Sequence, residues 1–228
     1  MPKPADSRWT DVDNYFLDTI VKPDPVLDDV LRRSEVAGLP SISVTAPQGK
    51  FLQLLASFQS PRSILEIGTL GGYSTVWLAR ALQPGGKLVT IEFEPRHAEV
   101  ARETVRLAGL SNAVEIRVGS ALDILPILSA ERGPSFDFTF VDADKPSAPA
   151  YFEWAVALSR PGGVIVVDNV VRDGELADRT SDDPRVTGMR RLVEQIAGDP
   201  RVSATGIQTV GGKGYDGFVV ARVLPKSA

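Results

Sequence analysis

Short runs of β-branched residues alternate with segments of helical periodicity through the middle of the chain. The runs predict strands at Ser63–Ile67, Lys87–Glu92, Val114–Val118, Phe136–Asp142 and Gly163–Asp168. Repeated strand–helix units of this kind form parallel sheets with right-handed crossovers. A continuous apolar run such as Val164–Val167 is typical of a strand that is covered on both faces. The sequence therefore predicts an α/β fold with a doubly wound, Rossmann-like sheet.

Helices are predicted between these strands and at both ends of the chain. Between the strands they are expected near Gly72–Leu82, Pro95–Leu107, Ala121–Leu128 and Ala148–Leu158. An N-terminal helical appendage is expected from Asp13–Ile20, from a helix that Asp24 and Pro25 open, and from Pro47–Phe58. After the fifth strand follow a polar segment at Val170–Pro184, a helix near Arg185–Ala197 and a hairpin of Arg201–Thr209 with Phe218–Val223. The expected sheet is mostly parallel and seven-stranded, with helices on both faces and an antiparallel C-terminal hairpin.

Length and composition limit the classes of function. The 228 residues predict one domain over residues 1–228, with residues 1–60 as a helical cap or dimer element. The net charge of −4 and the lack of a Lys/Arg run predict that no nucleic acid is bound. No apolar run approaches the ~20 residues that span a bilayer, so we expect a cytoplasmic protein that does not bind a membrane. Without cysteine, and with the only histidine, His97, interpreted as a surface residue, any metal site must use oxygen ligands.

A glycine-rich turn, within the run LEIGTLGGYS at Leu65–Ser74, follows the first predicted strand. Such a turn between a strand and a helix lets backbone N–H groups approach a nucleotide-like ligand. Its spacing differs from the dinucleotide fingerprint, because Gly68 and Gly71 are three positions apart and the next required glycine is replaced. The Glu66 carboxylate would repel a pyrophosphate, but it suits the ammonium group of a methionine moiety, directly or through water. The turn therefore favours S-adenosylmethionine over NAD.

Glu92 ends the second predicted strand. An acid at this distance from the glycine turn can accept hydrogen bonds from both ribose hydroxyls. The alternative interpretation is a solvated acid at a strand end. Asp123 follows the third strand, where adenine would lie, but the helix dipole explains an acid in a first helical turn equally well. We therefore predict Glu92 as the ribose ligand and assign no role to Asp123.

Oxygen-bearing side chains end the fourth and fifth predicted strands, at Asp142 and at Asp168 and Asn169. Neighbouring strands lie roughly 5 Å apart, so these oxygens can meet around one cation. All-oxygen ligation predicts a hard divalent ion, Mg²⁺ first, with Ca²⁺ or Mn²⁺ as alternatives. Either acid alone could cap a helix, which is how we interpret Asp144. Lys145 reaches the same edge and is either a general base, as a poorly solvated amine near a cation can be, or an ordinary lysine at a helix start.

With these motifs the chain resembles the cation-dependent catechol and caffeoyl-coenzyme A O-methyltransferase family. The resemblance covers nearly the whole chain and is most specific at Val141–Lys145 and Val167–Asn169. It implies that Asp142, Asp168 and Asn169 hold the metal and that Lys145 is the base, so that Asp142 and Lys145 are the catalytic residues. It also implies a cofactor site lined by Val44, Glu66, Gly68, Thr69, Leu70, Ser74, Glu92, Ala121 and Asp142. The chain departs from the family pattern at Ile42, Val44 and Gln48–Gly49.

The resemblance and the oxygen cluster together imply methyl transfer to one hydroxyl of a vicinal pair on a small aromatic molecule, by a homodimer. The acceptor is expected to contact Trp9–Tyr15, Val171–Pro184 and Gly211–Gly217, with Trp154 and Tyr215 as aromatic walls. One alternative is an NAD-dependent oxidoreductase on a similar sheet, which Glu66 and the missing third glycine oppose. The other is a non-catalytic binding module, which the complete oxygen cluster and Lys145 oppose.

Overall fold

The computed structural model describes residues 6–133 and 135–225. Within these ranges the strands are β1 Ser63–Ile67, β2 Lys87–Glu92, β3 Val114–Val118, β4 Phe136–Val141, β5 Ser159–Asp168, β6 Val202–Gly211 and β7 Gly214–Val223. They form one sheet in the order β3-β2-β1-β4-β5-β7-β6. The strands β1 to β5 pair in parallel, whereas β7 is antiparallel to both β5 and β6. The predicted doubly wound, mostly parallel sheet with an antiparallel C-terminal hairpin is confirmed.

Helices cover the sheet and precede it. In chain order they are α1 Ser7–Phe16, α2 Pro25–Val36, α3 Ala46–Ser57, α4 Tyr73–Ala79, α5 Pro95–Leu107, α6 Ala121–Arg132, α7 Ala148–Leu158 and α8 Pro184–Ala197. The predicted caps of α2 and α3 are present: Asp24 accepts hydrogen bonds from the first turn of α2, and Thr45 accepts one from Gln48 N. None of the helices in the described part of the chain is long and apolar enough to cross a membrane.

Some element boundaries differ from the prediction for local reasons. The sequence pattern places the first helix at Asp13–Ile20, but α1 begins at Ser7 because Asp6 accepts a hydrogen bond from Arg8 N and caps it. The chain then continues through a π-helical turn at Leu17–Val21. Strand β7 begins before the predicted Phe218, because the hairpin pairing continues out to its turn. The connection between β6 and β7 is therefore shorter than predicted.

Both faces of the sheet are buried, and alternate residues of β1 supply the two hydrophobic clusters. Leu65 and Ile67 pack with residues of α6, α7 and α8, whereas Ile64 packs with residues of α2, α3 and α4. With both faces covered, the carboxyl ends of the parallel strands are the open edge where ligands bind in such folds. The single domain over residues 1–228 stays a prediction, and residues 1–5, 134 and 226–228 lie outside the described residues.

Candidate active site

A cavity of about 810 Å³ opens at the carboxyl ends of β1, β2 and β4. Its size is that of a small-molecule site. The predicted cofactor residues that line it are Val44, Gly68, Thr69, Leu70, Ser74, Glu92, Ala121 and Asp142. The candidate base Lys145 and the candidate metal ligand Asn169 line the same cavity. The structure thus brings the two sequence motifs, the glycine turn and the oxygen cluster, into one site.

The glycine turn presses against the end of β4. Gly68 adopts a φ of +100°, and a Cβ atom there would lie 2.1 Å from the backbone oxygen of Asp142. Only glycine fits such a close approach at a positive φ. Leu70, a cavity residue, also has a positive φ of 50°, which is a strained conformation for a residue with a side chain. The turn is therefore shaped by contact with β4 as well as by its own sequence.

The Glu92 carboxylate joins the glycine turn to the end of β2 through hydrogen bonds. Its Oε2 accepts hydrogen bonds from Thr69 N at 3.0 Å and from Leu70 N at 2.7 Å, and its Oε1 accepts one from Glu94 N at 3.0 Å. Glu92 is buried apart from its exposure to the cavity. Because a carboxylate offers about four lone-pair positions, it can still accept a hydrogen bond from a ligand hydroxyl.

His97 is not a surface residue, so that interpretation is wrong. Its side chain is 22% exposed, it lines the cavity, and its Nδ1 lies 3.3 Å from Glu92 Oε1. The first turn of α5 lies directly after the end of β2, so a side chain there can fold back onto the strand end. The histidine therefore lies beside the predicted ribose ligand.

Glu66 is fully buried and does not line the cavity. Its carboxylate accepts hydrogen bonds from Ser74 Oγ at 2.7 Å, Thr75 Oγ1 at 2.5 Å and Thr90 Oγ1 at 2.7 Å. Burial raises the pKa of Glu66 to about 7, although these hydroxyl groups oppose the shift. Ser74 lines the cavity. Glu66 therefore reaches the cavity only through its hydrogen-bond partner Ser74.

Asp142 and Asp168 follow neighbouring positions of β4 and β5, where Val141 pairs with Val167. Burial, followed by the charge of Asp142, raises the pKa of Asp168 to about 7. Across the described ranges no place gathers three acidic, histidine or cysteine side chains that could hold a metal. The candidate ligands are therefore two carboxylates and the Asn169 amide. Oxygen donors of this kind fit a hard divalent cation, which would also relieve the repulsion between Asp142 and the buried Asp168.

Lys145 forms an ion pair with the same acid, because its Nζ lies 2.7 Å from Asp142 Oδ1. It is mostly buried and precedes α7 rather than lying in the first helical turn. Asp144 accepts a hydrogen bond from Ser147 N at 3.1 Å, within the turn before α7, but the N-cap of α7 is Ser147, so the interpretation of Asp144 as the helix cap is wrong. Gln48 Nε2 donates to Asp168 Oδ2 at 2.6 Å, a contact that sequence reasoning missed. The only feature of the sequence that pointed to this hydrogen bond was the departure of Gln48 from the family pattern.

Only part of the predicted acceptor side lines the cavity. Of the three segments expected there, Val171–Pro184 contributes Arg172, and Arg185 follows from the start of α8. Neither of these two arginines was predicted from the sequence as a site residue. Trp154 packs against the hydrophobic core and the Tyr215 hydroxyl contacts Gln208, so the prediction that these aromatic residues form cavity walls is wrong.

The other two predicted acceptor segments contact each other instead of lining the cavity. Asp13 Oδ2 accepts a hydrogen bond from Gly212 N at 2.8 Å, which joins α1 to the turn between β6 and β7. Partial burial lowers the pKa of Lys213 in this turn, while the charges of Asp142 and Asp168 oppose the shift. The turn therefore lies within electrostatic reach of the acidic pair, although it is not part of the cavity wall.

Comparison with known proteins gives concordant matches over almost the whole chain. A profile of the O-methyltransferase family matches residues 18–223. A catechol O-methyltransferase of Niastella koreensis is 49% identical, over 93% of this chain and 96% of its own length. A catechol O-methyltransferase of Mycobacterium tuberculosis is 50% identical, over 93% of this chain and 95% of its own length.

Solved structures match equally closely. An O-methyltransferase from Bacillus cereus, in complex with S-adenosylhomocysteine, superposes with a TM-score of 0.93 at 56% identity and covers 95% of this chain and 99% of its own. An O-methyltransferase from Streptomyces achromogenes involved in tomaymycin synthesis, in complex with S-adenosylmethionine, has a TM-score of 0.93 at 51% identity and covers 99% of this chain and all of its own.

Proposed function

Because the chain belongs to the O-methyltransferase family and is an S-adenosylmethionine-dependent O-methyltransferase, we propose that it needs a divalent cation and methylates one hydroxyl of a vicinal dihydroxy aromatic molecule. The observation that carries the proposal is the pair of acids Asp142 and Asp168 beside Asn169, at the edge of the cavity that also holds the glycine turn. The names of the relatives at 49% and 50% identity support a catechol-like acceptor. Family membership does not favour the NAD-dependent oxidoreductase.

The cofactor would occupy the part of the cavity between the glycine turn and the start of α6. Glu92 would accept a hydrogen bond from a ribose hydroxyl, and Ala121 would contact the adenine side. Ser74 would relay the charge of Glu66 to the methionine ammonium group. The remaining predicted cofactor residues, Val44, Gly68, Thr69, Leu70 and Asp142, line the cavity and would complete this site.

Asp142, Asp168 and Asn169 would hold the cation, with Mg²⁺ as the first expectation and Ca²⁺ or Mn²⁺ as alternatives. The cation would supply Lewis-acid chemistry that lowers the pKa of the acceptor hydroxyl that reacts. In its neutral amine form, Lys145 would accept the proton of that hydroxyl at Nζ as the O–H bond breaks. The oxygen then forms a bond to the methyl carbon while the carbon–sulfur bond of the cofactor breaks. The partly enclosed cavity would favour this transfer by fixing the two reactants and excluding water.

We also propose the predicted homodimer, through the N-terminal cap of residues 1–60. Phe16, Ile20 and Leu31 are exposed although they are large and apolar, whereas Leu27 of the same region is buried in the core. Exposed large apolar side chains are typical of an interface where they form a continuous patch. The cytoplasmic location and the absence of nucleic-acid and membrane binding stay predictions from the sequence.

A methyl-transfer assay with catechols, caffeoyl esters and matching monophenols, each with Mg²⁺ and with a chelator, tests the function. We expect turnover of the diols only, and only with the metal. Asp168→Ala should abolish turnover and keep its affinity for adenosylhomocysteine, which shows that the fold survives; Asp142→Ala should also be inactive. Full activity in the chelator, or methylation of monophenols alone, would contradict the proposal.

A further inference from the structure

Arg172 differs from the other cationic side chains that line the cavity on the side of the candidate metal ligands. Lys145 is paired with Asp142 at 2.7 Å, and Arg185 is paired with Asp183 at 2.5 Å. The nearest carboxylate oxygen to the Arg172 guanidinium group, Asp216 Oδ2, lies 4.0 Å from Nη1. Among the residues that the structure describes, the buried Arg172 Nε has no hydrogen-bond partner. Within the described part of the chain, Arg172 is thus a mostly buried cation whose one ion pair is long, at 4.0 Å.

The backbone of Arg172 is held by hydrogen bonds, whereas its side-chain Nε has none among the described residues. Asp216 Oδ1 accepts hydrogen bonds from Val171 N and Arg172 N, both at 3.0 Å, and from Gly217 N at 2.9 Å. Asp216 is therefore engaged mainly with the backbone. Arg172 also has a positive φ of 55°, which is a strained conformation that the surroundings must maintain. The hydrogen bonds to Asp216 hold this loop in place, and the loop holds the guanidinium group at the cavity.

We propose that Arg172 binds a carboxylate on the acceptor, so that the preferred acceptors are dihydroxyaromatic acids rather than neutral catechols. This inference rests on the proposed methyl transfer to a vicinal diol. A guanidinium group matches a carboxylate in shape and charge and forms two parallel hydrogen bonds to it. Arg172 follows the candidate metal ligand Asn169 by three positions. One short loop would therefore contact both the diol end and the acid end of the same small molecule.

Arg185 supplies a second positive charge at the rim of the cavity, which Asp183 partly neutralises. Its side chain is exposed and its guanidinium group is already bound to Asp183. It would increase the local positive field for an arriving anion, whereas Arg172 would form the direct contact. The specificity is therefore expected to depend on Arg172.

The test compares kcat/KM for 3,4-dihydroxybenzoate and 3,4-dihydroxycinnamate with that for their methyl esters and for catechol, with S-adenosylmethionine and Mg²⁺. The wild-type protein should prefer at least one acid over its ester by about 10-fold or more, the usual effect of a hydrogen bond to a charged group. Arg172→Gln should remove this preference, because kcat/KM should fall about 10-fold more for the acids than for catechol, which has no carboxylate, while Arg172→Lys should retain part of it.

Arg190→Gln is the matched control. Arg190 donates a hydrogen bond to the backbone oxygen of Asp178, in the same segment between β5 and α8. Like Arg172, it has a buried Nε without a partner among the described residues, but it does not line the cavity. It should keep the wild-type preference. A wild-type protein that favours the esters, or an unchanged preference in Arg172→Gln, overturns the inference while diol methylation stands. Failure of the wild-type protein to methylate any diol overturns the proposed function and this inference together.

Discussion

Gln48 Nε2 donates a 2.6 Å hydrogen bond to Asp168 Oδ2, so the first turn of α3 is tied to the end of β5. Asp168 Oδ1 accepts a second hydrogen bond, from Asn169 N at 2.8 Å. Each oxygen of the carboxylate keeps a further lone pair that could bind a cation. Gln48 therefore orients a candidate metal ligand without being one.

Replacing Gln48 by leucine should weaken Mg²⁺ binding by about 10- to 100-fold, the usual effect of removing a group that orients a metal ligand. Titration calorimetry of the variant with Mg²⁺ measures it. Gln53→Leu is the control, because Gln53 lies on the same helix and contacts Lys50 instead of Asp168. Equal affinity in both variants would show that Gln48 does not orient the site.

Lys145→Met should reduce kcat for catechol by about 10²- to 10⁴-fold, which is the usual contribution of a general base. The loss should be much smaller for a nitro-substituted catechol, because its more acidic hydroxyl ionises without a base. Rapid-quench measurement of methyl transfer with both acceptors gives the ratio of the two losses. An equal loss for both acceptors would mean that Lys145 positions the acceptor rather than accepting its proton.

Glu66 should make the protein less stable as the pH rises. Its pKa is about 7 in the folded chain and 4.5 for the ordinary group, so between these values the folded state binds more protons than the unfolded state. The free energy of unfolding contributed by Glu66 therefore falls as the pH rises through this window and is fully present below it.

Glu66→Gln should remove this dependence. Relative to the variant, the wild-type protein should lose on the order of 3 kcal/mol of stability between about pH 4.5 and pH 7, because one pKa unit corresponds to about 1.4 kcal/mol. Urea unfolding of both proteins at several pH values measures the difference, in which contributions from Asp168 cancel. Parallel curves for the two proteins would contradict the assignment of the raised pKa to Glu66.

Gly68→Ala should destabilise the fold by about 3–5 kcal/mol, because the new methyl group meets the Asp142 backbone at a positive φ. Gly85→Ala is the matched control: Gly85 has a φ of +79° and nothing within 4 Å of its missing Cβ. Its cost should be only the conformational one, about 1–2 kcal/mol. Thermal or urea unfolding gives both values, and equal costs would exclude a close approach at Gly68.

The sequence predicts the parts of this protein that depend on local pattern. The bounds of β1, β2 and β3 agree with the predicted ones, because turn residues follow each of these strands. The positions of Asp142 and Asp168 follow from the same logic, since neighbouring parallel strands end at one edge. What could not be predicted depends on which elements pack over a side chain. Such packing buries Glu66, turns His97 toward Glu92 and joins Gln48 to an acid 120 positions away.

Arg172 illustrates the same limit on the acceptor side. Its loop lacks periodicity, and its conformation depends on Asp216, which lies 44 positions later in the chain. No local signal marks such a residue as part of a cavity. The functional residues at the strand ends can therefore be predicted from the sequence, whereas the residues proposed to set the acceptor specificity are identified only from the folded structure.

The hydrogen bond between Asp13 and Gly212 spans 199 positions of the chain. Contacts between such distant segments form late in folding, because a long loop must close before they can be made. During synthesis α1 leaves the ribosome before the β6–β7 hairpin, so this hydrogen bond can form only after the hairpin has been made. The parallel strands β1 to β5 lie between these two segments and can assemble earlier. The contact between α1 and the hairpin therefore follows the synthesis of the whole parallel sheet.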